Sequence, residues 1–268
     1  MKIHDTAIIH PTATIGDDVE IGAYSIIHSD VTIGNRCRIA SHVIIQDRTT
    51  MGEDNIIYDG AIIGNKPQDL KYKGSPSRVR IGDRNTIREY ATINIASDTT
   101  EDTVISSDCL LMAYVHIAHN CQIGNNVVIA NSCNLAGHVV IEDWAVIGGM
   151  VPIHQFVRIG AHVMVGAFFK VAQDLVPYIL FARNPAQPIG INSVGLKRRG
   201  FSEESMLGLK EAFKILFMRD YNTREACNIL EKELGHLDEV KNIVSFVRNS
   251  KRGIATKRKS DYEKNQTS

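Results

Sequence analysis

The sequence predicts a mainly β chain: a left-handed parallel β-helix of hexapeptide repeats, wound as a triangular prism, with a C-terminal α-helical domain. Three observations carry this. From Ile3 to Val171 every sixth position is aliphatic in 26 of 29 cases, and the misses, Asp69, Ser75 and Thr99, fall in two polar stretches. Two further columns keep the same time: glycine often follows the aliphatic residue (Gly16, Gly34, Gly82, Gly124), and a small or β-branched residue stands two places before it (Ala7, Val31, Val127). Beyond Gln173 the hexads stop and apolar residues recur at helical spacing.

A period of six matches neither a 3.6-residue helix nor an alternating strand, but it suits a solenoid in which three hexads close a coil of about 18 residues. One aliphatic side chain per face points inward, and coils stack at about 4.8 Å. The prism is assigned residues 1–173. Glycine is expected at the corners for its conformational freedom. Two segments miss the beat, 66–77 and 96–103; because the phase then resumes, each is expected to leave as a loop that replaces part of a coil. Loops on a rigid scaffold are where binding residues gather.

Residues 174–200, with Pro177, Pro185 and Pro188, read as an irregular connector. Helices are expected over 201–250. Ser202 caps the first, which carries Leu209, Ala212, Phe213 and Leu216 at helical spacing. Asn222 and Glu225 have capping-box spacing for a second that closes near Gly235, and a third runs through Val240, Ile243 and Val247. The last residues, 251–268, read as a polar, frayed tail.

Lys plus Arg (30) equal Asp plus Glu (30), so net charge does not argue for a nucleic-acid partner. The balance is uneven along the chain: residues 1–193 carry 14 basic and 19 acidic side chains, and 194–268 carry 16 and 11. The basic C-terminal part reads first as a solvated helical face and second as a surface for an acidic partner. Five cysteines without a CxxC pair suggest neither a disulfide framework nor a zinc ribbon. Cys37, Cys109, Cys121 and Cys133 occupy the small-residue column, as inert buried thiols would. The start lacks signal-peptide character, and no apolar run reaches the roughly 20 residues of a membrane span, so a cytoplasmic location without membrane insertion is expected.

The candidate chemistry lies in the late coils. With an 18-residue coil, His119 sits below Gly137, and Gly137 below Gln155; His138 and His154 flank that column, and His116 lies three residues before His119. An imidazole beside a glycine can take a proton from a hydroxyl, while the missing side chain leaves room for substrate and a backbone N–H for an oxyanion. Zinc held by His116, His119 and His138 is the competing reading, though an i, i+3 pair splays over two faces. P-loop, dinucleotide and Ser-His-Asp signatures are absent from the sequence.

The hexapeptide prism, His-Ile-Ala-His at 116–119, Ala-Gly-His at 136–138, His-Gln-Phe at 154–156, Pro-Gln-Asp-Leu-Lys at 67–71 and Gly-Leu-Lys-Arg-Arg-Gly-Phe at 195–201 together resemble the UDP-N-acetylglucosamine O-acyltransferase family, which performs the first step of lipid A biosynthesis. The resemblance implies transfer of a fatty acyl group, usually 3-hydroxyacyl, from acyl carrier protein to the glucosamine 3-hydroxyl of UDP-N-acetylglucosamine, with no cofactor or metal. It implies His119 as general base and Gly137 as oxyanion donor; Asp69, Lys71, His116, His138, His154 and Gln155 as substrate residues; and Asn192, Arg198 and Arg199 at the nucleotide. Ala167 stands where the family measures acyl length. A homotrimer with its sites between subunits is also implied. This chain departs from the family pattern at Asn120, where many members have aspartate, at Val194, where some have glutamate, and in the 96–103 loop, which lacks the common Arg-Gly-Thr pattern. The alternatives are a hexapeptide acyltransferase using a 3-amino sugar or a coenzyme A donor, a zinc hydratase, and a non-catalytic structural prism.

Overall fold

The computed structural model describes residues 1–256. Short strands, mostly two residues each, stack into three sheets of 11, 8 and 8 strands, parallel along the prism, and form the faces of a left-handed triangular prism. Register is set by the hexad: Lys2 pairs with Glu20, Ile8 with Ile26 and Thr14 with Thr32, each one coil apart. The inward isoleucines, among them Ile27, Ile45, Ile63, Ile117 and Ile129, are almost wholly buried. Each contributes roughly 1.5–3 kcal/mol by leaving water. Every coil therefore leans on the one before it, and the first has none: Ile3 remains 42% exposed. Among the described residues only the C-terminal end of the prism is covered.

The corners turn differently from the expectation. Along most of the prism, left-handed backbone sits three residues after the inward aliphatic, nearly always at non-glycine residues such as Asp18, Tyr24, Arg36, Asn120 and His138 (φ 55, 58, 57, 57 and 60°). The column glycines have another task. A Cβ on Gly34 would come within 2.5 Å of the Gly52 backbone, and one on Gly22 within 2.7 Å of Ala40, so glycine there permits close stacking of coils.

The looped-out segments also differ in kind. Ile57 pairs with Ile87 and Ile63 with Ile93, five hexads on, while Ile87 pairs with Leu111 and Ile93 with Ile117, four hexads on. An ordinary coil takes three. Each loop is thus an insertion of whole hexads, two in the first case and one in the second, added to a complete coil, and it replaces nothing. Both leave the same corner, between the second and third faces, where Ser77 Oγ donates to Ala96 O and ties one loop to the other.

Beyond the prism, residues 174–200 are more regular than a connector. An antiparallel pair, Ile179–Ala182 and Gln187–Ile191, extends the first face, and helix α1 (Ser193–Arg198) follows. Helices α2 (Glu203–Phe217), α3 (Thr223–Leu234) and α4 (Asp238–Arg248) then form. Ser202 caps α2, and the Asn222–Glu225 capping box is made. Asp174 secures this end: buried, it accepts from Arg158 N–H (2.9 Å) and Ser250 Oγ (2.7 Å). The tail expected over 251–268 begins as docked chain, because Ile254 and Ala255 are buried and Ala255 N–H donates to Asp174 O. The remainder, 257–268, lies outside the described residues. All five cysteines are buried. Desolvation pushes the Cys121 thiol up to about 12, away from the reactive thiolate.

Candidate active site

The corner that carries both loops also carries the histidine column. His119 is at its centre, with its side chain 15% exposed. The ring lies against Gly137, where any Cβ would come within 2.4 Å of Cε1. His119 Nδ1 lies 2.9 Å from Asn120 Oδ1, an oxygen that also receives the Ser97 backbone N–H. A backbone N–H only donates, so the atom it meets is the amide oxygen, and His119 Nδ1 must bring the proton to it. The Nε2 lone pair is left free. Asp69 Oδ2 is 4.0 Å from Nε2, beyond hydrogen-bond reach.

Gly137 offers a donor. At equivalent places on the other two corners, the N–H groups of Asp17, Ser41, Glu53, Ser107 and Asn125 are each taken by an Asn or Asp side chain one coil further along. No such acceptor meets Gly137 N–H among the described residues, since Gln155 stands above it and leaves it unbonded. Above His119, His138 meets it edge-on at 5.2 Å and stacks on Phe156 at 4.6 Å. Burial first, then the neighbouring His119, lowers the His138 pKa, so its ring is held neutral.

His119, His138, Gln155 and Phe156 line a cleft of about 760 Å³ together with Gln68, Asp69, Leu70 and Lys71 from the first loop and Ser97 and Asp98 from the second. Asp69 is shaped by its own turn, accepting from Lys71 N–H at 2.9 Å. Leu70 between them is fully exposed. Of the other expected residues, His116 is outside the cleft lining, its Nδ1 2.8 Å from Thr92 Oγ1 and its pKa lowered by burial. His154 is exposed and also outside it. Among the described residues no group of three or more His, Cys, Asp or Glu side chains is placed to hold a metal ion.

Asn192, Arg198 and Arg199 are not brought to this cleft. They line a second one, of about 620 Å³, with Trp144, Met164, Leu180 and Val194. Asn192 caps α1: Oδ1 accepts from Gly195 N–H, and Nδ2 donates to His162 O at 2.9 Å. The Arg199 guanidinium lies 4.9 Å over the Trp144 ring and donates to His162 Nδ1 at 3.4 Å. His162 must be neutral to accept, and burial together with Arg199 pushes its pKa down to about 4. Ala167 is half-buried and lines neither cleft.

Sequence reasoning missed Ser97, Asp98, Phe156, Trp144 and His162. Phe156 was available, being one coil above His138, and so was His162, one coil above Trp144. Ser97 and Asp98 had no such signal, since a loop outside the hexad clock has no register to extrapolate.

No helix among the described residues is long and apolar enough to cross a membrane. The family profile described as "Udp N-acetylglucosamine O-acyltransferase; Domain 2" matches residues 174–255. The bacterial transferase hexapeptide profile matches 1–35, 12–47 and 102–137. The acyl-[acyl-carrier-protein]–UDP-N-acetylglucosamine O-acyltransferase of Trichlorobacter lovleyi is 54% identical over 258 residues, covering 95% of this chain and 99% of its own. That of Herminiimonas arsenicoxydans is 46% identical over 259 residues, covering 94% and 98%. Among solved structures, the UDP-N-acetylglucosamine acyltransferase of Francisella novicida superposes with a TM-score of 0.92 at 36% identity, over 97% of this chain and 95% of that one. Shared over nearly its whole length with such relatives, the fold and the sequence place this chain in the UDP-N-acetylglucosamine O-acyltransferase family.

Proposed function

We propose that the protein transfers a fatty acyl group from acyl carrier protein to the glucosamine 3-hydroxyl of UDP-N-acetylglucosamine, as a cytoplasmic enzyme that opens lipid A biosynthesis. The observation that carries the mechanism is the pairing of a free Nε2 on His119, which lines the cleft, with an untaken N–H on Gly137, the residue its ring lies against. The sugar hydroxyl gives its proton to Nε2 as its oxygen attacks the thioester carbonyl. Gly137 N–H meets the oxyanion, a contact worth on the order of 2.7–4 kcal/mol in the transition state. Collapse expels the carrier thiolate, which recovers the proton from the imidazolium. While that cation exists, Asp69 is the nearest negative charge. No enzyme-bound acyl group forms, and no cofactor takes part.

Lys71, His138 and Gln155 hold the substrate in the cleft, with His116 and His154 at its margin. Arg198 and Arg199 suit a diphosphate through forked, charge-assisted hydrogen bonds, and Asn192 orders the helix that bears Arg198. One chain keeps the base and these arginines in separate clefts that share no lining residue. A homotrimer, in which the first cleft of one subunit faces the second cleft of its neighbour, unites them. Acyl transfer followed by mass spectrometry tests the proposal. A mono-O-acylated sugar nucleotide, lost in a folded His119→Ala trimer, is the expected result; undiminished transfer by that variant would sink the assignment of the base.

A further inference from the structure

Asn120 has its whole amide engaged. It is 1% exposed. Its Oδ1 accepts from Ser97 N–H at 2.9 Å and Ser97 Oγ–H at 3.0 Å, while its Nδ2 faces Glu101 O at 3.2 Å and Asp98 Oδ1 at 3.5 Å. Asp98 is itself held by Thr100 N–H and Oγ–H, at 3.0 and 2.6 Å. Every one of these partners belongs to the second looped-out segment: two donors meet the oxygen and two acceptors meet the nitrogen. We propose that Ser97 is a positioning residue for His119, acting through the Asn120 amide to select the imidazole tautomer whose Nε2 is free to accept a proton.

An amide has a wrong way round. Flipped so that its oxygen and nitrogen trade places, Asn120 would present its NH₂ to His119 Nδ1, which would then accept, and the ring proton would move to Nε2. A neutral imidazole protonated at Nε2 cannot serve as base from that nitrogen. The two Ser97 donors oppose that flip directly. Asp69, at 4.0 Å, makes no hydrogen bond that would hold a proton on Nε2 in its place. The one-hexad insertion therefore does more than border the cleft. It sets which nitrogen of His119 carries hydrogen.

A carboxylate at 120 has no wrong way round, and this separates a tautomer role for Ser97 from a merely structural one. The proposal rests on His119 being the base, so one readout is independent of turnover. Full-length protein labelled with ¹⁵N-histidine is observed by two-bond ¹H–¹⁵N correlation, with His119 assigned by its loss in His119→Ala. The native ring is expected to show Nδ1 protonated and Nε2 bare. Ser97→Ala should admit the second tautomer and lower kcat by roughly three- to tenfold, the worth of one ordinary hydrogen bond, with the acceptor KM little changed. In an Asn120→Asp background the same Ser97→Ala change should leave both tautomer and kcat where Asn120→Asp alone puts them. Ser97→Thr, which keeps both donors, should behave as the native protein and covers the case of a misfolded alanine variant. An Nε2-protonated native ring, or an equal loss from Ser97→Ala in both backgrounds, overturns the proposal. An inactive native enzyme with the expected ring signals would overturn the acyl-transfer reading and leave the tautomer lock standing.

Discussion

His119 and Gly137 touch across one coil of the prism, so closely that a methyl group at 137 would lie 2.4 Å from the imidazole Cε1 and 2.5 Å from Nε2. Glycine at this position is a requirement of the neighbouring ring, since its φ is not left-handed. Gly137→Ala should push the ring off its Asn120 partner and fill the space of the attacked carbonyl. Transfer is expected to fall by at least about 100-fold. Thermal melting should show the protein still folded, because the ring, on the outer corner, is free to yield.

His162 makes stability depend on pH. Its folded pKa, about 4, lies below the unfolded 6.5, so as acid is added the unfolded chain binds a proton first. The stability linked to this group is complete above about pH 6.5 and is lost as pH falls toward 4. His116 and His138, also lowered, act with the same sign. His162→Gln should flatten the decline between pH 6.5 and 4.5 by about 1–2 kcal/mol, discounted for the ring's partial exposure. Denaturant midpoints at one fixed protein concentration measure it; equal slopes in the two proteins would refute the assignment.

The C-terminal helices should depend on Asp174. Asp174→Ala leaves Arg158 N–H and Ser250 Oγ without their acceptor, at a cost of about 2–4 kcal/mol. Limited proteolysis of this variant is expected to cut within residues 201–250 while the prism persists. Simultaneous loss of both parts would show that they unfold as one unit.

Ala167 offers a specificity test. Ala167→Gly removes one methyl group, so a competition assay with carrier proteins of graded chain length should move toward donors longer by about one or two carbons. An unchanged preference would remove Ala167 from the acyl path.

The prism was legible in the sequence because its core is periodic: Ile117, Leu135 and Ile153, stacked one coil apart, report their own burial through the six-residue recurrence. The same clock placed His119 under Gly137. What lacked a period was misread. The corner glycines were assigned a backbone role, whereas the left-handed conformation falls on Asp18, Tyr24 and their column, where identity varies freely. An insertion of one or two whole hexads and a replaced stretch of coil both restore the phase, so phase alone cannot tell them apart. Asn120 illustrates the limit for the site. Beside the histidine it read as a lost negative charge, yet its meaning comes from Ser97 and Asp98, which lie 23 and 22 residues earlier in the chain, in a loop that no periodicity predicts.

The unbroken register between His119 and Ala167 turns sequence distance into altitude. Eight hexads separate them without an insertion, and so they stand two and two-thirds coils apart. At about 4.8 Å per coil that is a climb of roughly 13 Å along the axis. On the proposed function, a fatty chain that ran from the base to Ala167 would be gauged by a staircase of fixed tread, and its permitted length would change by moving the stop from one step to another while the base stayed where it is.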